Sequence, residues 1–180
     1  MAILPITIYP APILQQCAEP IGTVTAAIQQ LLDDMAETMY AAPGVGLAGP
    51  QVNQPWRVIV VDVGEPVTLT PDDPDHPIER SPRLYQLINP SITHRSGTIQ
   101  WEEGCLSLPD FRIEMQRAAQ IVVEALDRNG SPIMIDAQGL LAVALQHEID
   151  HLDGKLLIDH VSRLKRRMYA EKLEKQRRED

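Results

Sequence analysis

Cysteine is nearly absent from this chain: Cys17 and Cys105 are the only two in 180 residues. That excludes a disulfide framework and leaves metal ligation or nucleophile chemistry as the special uses open to a thiol. Aromatic residues make up only 4%, with a single phenylalanine, so any core has to be built from aliphatic side chains. No apolar run approaches the roughly 20 residues that span a bilayer. The opening stretch MAILPITIYPAP has neither the basic start of a signal peptide nor the Arg- and Ser-rich pattern of a transit peptide, so the expected location is the cytoplasm. Positive charge is also in short supply, with 16 basic residues against 25 acidic ones for a net −9. The deficit is uneven. Residues 163–180 hold eight basic and four acidic side chains, a local +4, which leaves −13 on residues 1–162. An acidic body with a basic terminal segment raises the question of a partner for that segment.

What is present suits one globular unit: 44% hydrophobic and 23% charged residues, in a length that supports one substantial core. Residues 3–14 read as extended and proline-broken. From Thr23, Val24, Ile28, Leu31, Leu32, Met35 and Met39 recur at helical spacing, which predicts a helix to about Tyr40. Residues 57–62 read as a buried strand, and 84–88 and 92–101 as further strands. Between them, residues 65–83 contain five prolines and several acids and predict a mobile loop. Residues 121–126 and 133–135 flank Asp127-Arg128-Asn129-Gly130, a hairpin signal. A helix is expected over 139–152, and Ser162 is placed to cap a charged helix at the C-terminal end. The sum is an α+β fold, mostly antiparallel sheets around a central helix, with an N-terminal and a C-terminal helix.

The stretch GVGLAGPQ, residues 44–51, contains GxGxxG, the spacing of a dinucleotide-binding turn. Such glycines follow a strand and open a helix that receives the pyrophosphate. Here they follow a helix, and Pro50, Asn53 and Pro55 occupy the place where that binding helix would lie. No nucleotide cofactor is expected.

The strongest chemical signal is His147-Glu148-Ile149-Asp150-His151. Two histidines four apart share one helical face and can share a metal, with the adjacent glutamate in reach as a general base. A third protein ligand is needed, and both His160 and Cys105 are candidates. Cys105 sits in Glu102-Glu103-Gly104-Cys105-Leu106-Ser107 at the end of an apolar strand. Cys17 has no polar constellation around it and reads as a small buried hydrophobe. His76 and His94 read as surface residues. A zinc endopeptidase and a non-catalytic metal-binding module are the rival readings of HExxH taken alone.

Three motifs in order, GVGLAGPQ, EGCLS at 103–107 and HEIDH at 147–151, resemble those of the peptide deformylases, and the similarity extends from ILPITIYPAPIL through ALDRNGSP to the terminal helix. The departures are small. Gly49 stands where the first motif usually has its second alanine, Pro10-Ala11-Pro12 replaces a common Pro-Asp-Pro, and the proline-rich loop is longer than in compact members. Of these, Gly49 is expected to loosen its loop.

The resemblance implies removal of the formyl group from the N-terminal methionine of new polypeptides, with release of formate. It implies that Cys105, His147 and His151 hold one divalent metal, Fe(II) natively, with zinc, nickel or cobalt able to take the site. Glu148 would move the proton, and the Gln51 side chain with the Leu106 N–H would stabilise the oxyanion. Val45 and Gly46 would pair with formyl-Met peptides through their backbone, while Leu140, Val143 and Ala144 would form the methionine pocket. Arg112 would lie near the peptide path, and Glu103 with Arg117 would steady the Cys105 strand. The basic segment, including Lys165, Arg166 and Arg167, would help dock the enzyme on the ribosome. The expected organisation is a catalytic domain over 1–162, including the loop 64–83, with 163–180 as a basic helix of the same domain, and no membrane association.

Overall fold

The computed structural model describes residues 2–67 and 79–179. Its centre is one strand, β2 (Val58–Val61), whose four residues Val58, Ile59, Val60 and Val61 are all buried. Alternation along a strand sends successive side chains to opposite faces. Ile59 and Val61 therefore pack with Ala142, Leu145 and Ile149, while Val58 and Val60 pack with Leu32, Met35 and Met39. Two helices supply those partners, α1 (Ala26–Ala41) on one face and α2 (Gly139–Leu152) on the other. Fully burying one such aliphatic side chain contributes about 1.5–3 kcal/mol. The run of four apolar residues without polar alternation is what a strand covered on both sides requires.

Around β2 a five-stranded sheet forms in the order β1-β2-β5-β8-β9, every pair antiparallel. Its members are β1 (Gly46–Ala48), β5 (Tyr85–Ser96), β8 (Gln120–Leu126) and β9 (Pro132–Gln138). The β8–β9 hairpin turns where the Asn-Gly pair predicts it: Gly130 takes φ 83°, and Asp127 Oδ1 accepts from the N–H groups of Asn129 and Ser131 at 2.8 and 2.9 Å. A second hairpin, β6 (Ile99–Cys105) with β7 (Leu108–Arg117), stands apart from the sheet. The strand expected over 92–101 is thus two strands, parted at Gly97 with φ 63°. The loop expected over 65–83 is in part a pair of short strands, β3 (Glu65–Val67) and β4 (Glu79–Ser81). Residues 68–78 of that stretch, His76 among them, lie outside the described residues.

Thr25 caps α1, its side chain accepting from the Ile28 N–H at 3.4 Å, and Ser162 does the same for α3 (Arg163–Glu179) through the Lys165 N–H. Helix α3 is not wholly solvated: Leu173, Tyr169 and Ala170 pack with Tyr9, Leu14 and Leu108 in a third apolar cluster. The N-terminal segment is irregular up to a 3-10 turn at Pro12–Gln15. Two readings of that half of the chain need correction. Cys17 is exposed, its Sγ 3.7 Å from the Asp153 carbonyl, because it follows that turn on the outside of the fold. Gly49 is buried and does not loosen its loop. A Cβ there would lie 2.5 Å from the Trp56 carbonyl oxygen, so the missing side chain lets two backbone segments close on each other. Among the described residues no helix is long and apolar enough to cross a membrane.

Candidate active site

Helix α2 carries His147, Glu148 and His151 into the interior along the apolar face that holds it to the sheet. One turn apart, the two imidazoles meet edge to face with centroids 4.9 Å apart and Nε2 atoms 3.2 Å apart. The third donor arrives from β6. Its register against β7 slips between Gly104 and Cys105, and this irregularity ends the strand with the Cys105 Sγ 3.2 Å from His151 Nε2. All three donor atoms lie within 4.8 Å of one another.

The surroundings fit a cation at that point. His147 Nδ1 faces Glu103 Oε2 at 2.9 Å, and a carboxylate can only accept, so Nδ1 carries a hydrogen and Nε2 is the ring atom turned toward Cys105 and His151. Glu103 is itself held by Arg117 through a two-pronged contact of 2.7 and 2.9 Å, and Arg117 reaches Asp150 on α2 at 2.5 Å. Burial would raise the Glu103 carboxyl, but the Arg117 guanidinium and the His147 ring outweigh it and bring its pKa to about 2. Burial also opposes charge on both histidines. It prevails at His151, which falls well below the usual imidazole range, whereas at His147 the contacts with Cys105 and Glu103 reverse it. A thiol and two imidazoles, one oriented by a buried carboxylate, are a donor set for zinc or ferrous iron.

Gln51 sits in the 3-10 turn Gly49–Val52 and is 1% exposed. Its Oε1 accepts from the Ala48 N–H at 2.9 Å, which fixes the amide and turns Nε2 toward Cys105 Sγ (3.4 Å) and Ser107 Oγ (3.2 Å). Glu148 lies under β1: a Cβ on Gly46 would be 2.3 Å from its Oε1. Its other oxygen is buried with no partner, and burial pushes the carboxyl up to about 7. A buried carboxylate oxygen without a donor is costly, so this one is placed for something other than stability.

These groups open on one cavity of about 710 Å³. Leu106, Val45, Gly46, Leu140, Val143, Ala144 and Arg112 all line it with Cys105, Gln51, His147 and Glu148, while His151 lies behind, 1% exposed. The Arg112 guanidinium lies across Gly104, close enough that a Cβ there would be 3.2 Å from Nη1. His160 is exposed and outside the donor cluster, as His94 is on β5. Sequence reasoning paired Glu103 with Arg117 but missed Asp150 as the arginine's second partner and Ser107 as a partner of Gln51. It also missed Trp101, Asp110 and Phe111 at the cavity wall. The only signal for Asp150 was its position one residue before His151.

A Cys-His-His donor set with a buried glutamate beside it, in a cleft between an α-helix and an edge strand, defines a metal-dependent hydrolase. Residues 3–167 match the family profile described as polypeptide deformylase. The chain is 50% identical to the peptide deformylase of Thermodesulfovibrio yellowstonii, over 96% of this chain and 97% of that one. It is 49% identical to the peptide deformylase of Xylella fastidiosa strain M12, over 99% and 98%. Among solved structures, the peptide deformylase from Ehrlichia chaffeensis superposes with a TM-score of 0.85 at 38% identity, covering 99% of both chains. A second structure of that enzyme, in complex with actinonin, gives 0.84 over 98% of each chain. The chain belongs to the polypeptide deformylase family. It is a metal-dependent hydrolase that removes the formyl group from the N-terminal formyl-methionine of newly synthesised polypeptides and releases formate.

Proposed function

We propose that Cys105, His147 and His151 hold one divalent metal, natively Fe(II) with zinc, nickel or cobalt as substitutes, and that Glu148 and Gln51 carry out the proton and charge steps of deformylation. The observation behind this reading is the convergence of two Nε2 atoms and one Sγ beside a buried carboxylate oxygen that has no partner. A divalent cation there supplies Lewis acidity, lowering the pKa of water and polarising the formyl oxygen.

The remaining chemistry belongs to the chain. Glu148 takes a proton from the attacking water and passes it to the methionine nitrogen as the C–N bond breaks, so that formate and a free amine leave. A carboxyl poised near neutrality suits both transfers. The Gln51 Nε2–H and the Leu106 N–H donate to the oxyanion that develops on the formyl oxygen. Strand β1 is an edge of the five-stranded sheet, so Val45 and Gly46 can take the peptide as a short added strand. Leu140, Val143 and Ala144 receive the methionine side chain, and Arg112 borders the path of the following residues.

Metal analysis after anaerobic preparation with Fe(II) tests the ligand set. One equivalent per chain is expected. Glu103→Gln, which weakens the orientation of His147, is expected to lower metal retention about 10- to 100-fold. Retention equal to that of the unaltered chain would remove Glu103 from the metal site.

The finer picture is of a cytoplasmic enzyme working at the ribosome, with 1–162 and 163–180 acting as one domain. The packing of Leu173 on Tyr9 and Leu108 supports the shared domain, and exposed cations such as Lys165 and Arg167 support an anionic partner. Co-sedimentation with ribosomes should weaken as salt rises, and it should be lost when Lys165 and Arg167 are both changed to Glu. Binding that survives both changes would separate α3 from the ribosome.

A further inference from the structure

Asp62 follows β2 and is 9% exposed, and none of the chemistry above uses it. Its carboxylate accepts three hydrogen bonds, from Tyr40 Oη to Oδ2 at 2.5 Å and from the Gly64 and Arg83 N–H groups to Oδ1 at 2.8 and 3.0 Å. Its own N–H donates to the Val45 carbonyl at 2.9 Å. The partners come from three places. Tyr40 closes α1, Val45 leads into β1, and Gly64 and Arg83 flank the β3–β4 pair.

Between Tyr40 and Val45 run Ala41, Ala42, Pro43 and Gly44, whose side chains have no hydrogen-bonding atom. Asp62 therefore fastens this link at both ends, through a hydroxyl before it and a carbonyl after it. Burial alone would raise the Asp62 carboxyl, but the Tyr40, Arg83 and Gly64 donors lower it, so the charged form is the one the fold holds. Burial and the same pair push Tyr40 the other way, to about 12. The position of this link matters because it leads into Val45 and Gly46, the main chain proposed to pair with the peptide.

We infer that Asp62, together with Tyr40, is a positioning residue for deformylation: it sets the placement of the Val45–Gly46 main chain against which the peptide pairs, and ties the β3–β4 pair to the same point. This rests on the reading that Val45 and Gly46 pair with the substrate backbone. Tyr40→Phe removes one O–H and keeps the ring, and Asp62→Asn keeps the side chain's size while removing its charge.

Formate release would be followed for formyl-methioninamide, which offers one residue, and for formyl-Met-Ala-Ser, which offers three. In Tyr40→Phe the KM for the tripeptide is expected to rise roughly 2- to 10-fold, the size of one net hydrogen bond. Its kcat and metal content should stay unchanged, the single-residue substrate should respond less, and Asp62→Asn should follow the same pattern more strongly. A lowered Tm with unmoved kinetic constants, or equal KM changes for both substrates, would overturn the positioning role. If the unaltered enzyme has the same kcat/KM for both substrates, strand pairing itself fails and the inference falls with it. If the unaltered enzyme prefers the tripeptide and the variants keep that preference in full, only the role of Asp62 and Tyr40 falls.

Discussion

Replacing Glu148 with alanine is expected to lower kcat for formyl-Met peptides by about 100- to 10,000-fold, the usual worth of a positioned general acid–base group. Metal content should stay at that of the unaltered chain. The two expectations separate because Glu148 is not among the three converging donors, although it adjoins His147 in sequence. The carboxylate's removal should not unfold the protein either. It takes away a buried group with an unpartnered oxygen, and such groups cost stability. Formate release read beside metal analysis decides the matter. Turnover kept in the variant would remove Glu148 from the proton path, whereas turnover and metal lost together would make it part of the metal site.

Gln51→Leu, close in volume and without a donor, is expected to reduce kcat by about 100- to 1,000-fold, the typical loss when one oxyanion donor is removed. The substrate's ground state gains little from that donor, so KM should move far less than kcat. The amide's fixed orientation is the reason to expect so large an effect. With Oε1 engaged by Ala48 N–H, the Nε2 end cannot turn away from Cys105 and Ser107, and a donor already in place needs no reorganisation when charge develops. A loss below about tenfold, with metal retained, would assign the oxyanion to other groups. Steady-state kinetics at saturating peptide distinguishes the cases.

Much of this site was legible because its largest part is local. His147, Glu148 and His151 need only the 3.6-residue period of one helix to be read as a cluster. Cys105 is another matter. Its place depends on a register slip in a hairpin that packs against α2 from more than 40 residues away in sequence, and spacing alone left His160 as another candidate. Resemblance to a family separated them, and the structure brings Cys105, not His160, to the donor cluster.

The fold shows the same division. The hairpin at Asn129-Gly130 and the cap at Ser162 are read from a few adjacent residues, because their hydrogen bonds close within four positions. Strand β7 was missed because Pro109 and Asp110, the latter at φ 58°, carry loop chemistry at its start. Strand β1 has only three residues, too few to show a period, and exists through its pairing with β2. Asp62 ends a strand legible from its apolar run, but its bonds to Tyr40, Gly64 and Arg83 are with residues that no local pattern joins to it.

The contact between Gly46 and Glu148 bears on how such an enzyme can escape an inhibitor. A common escape is to add bulk to the wall of the cleft so that the compound no longer fits. At residue 46 the smallest addition, a methyl group, would land 2.3 Å from a Glu148 carboxylate oxygen, so it would displace the carboxylate proposed above to move the proton before it repelled the compound. A molecule that rests on the main chain at Gly46 therefore presses on a surface that cannot gain a side chain without displacing that carboxylate.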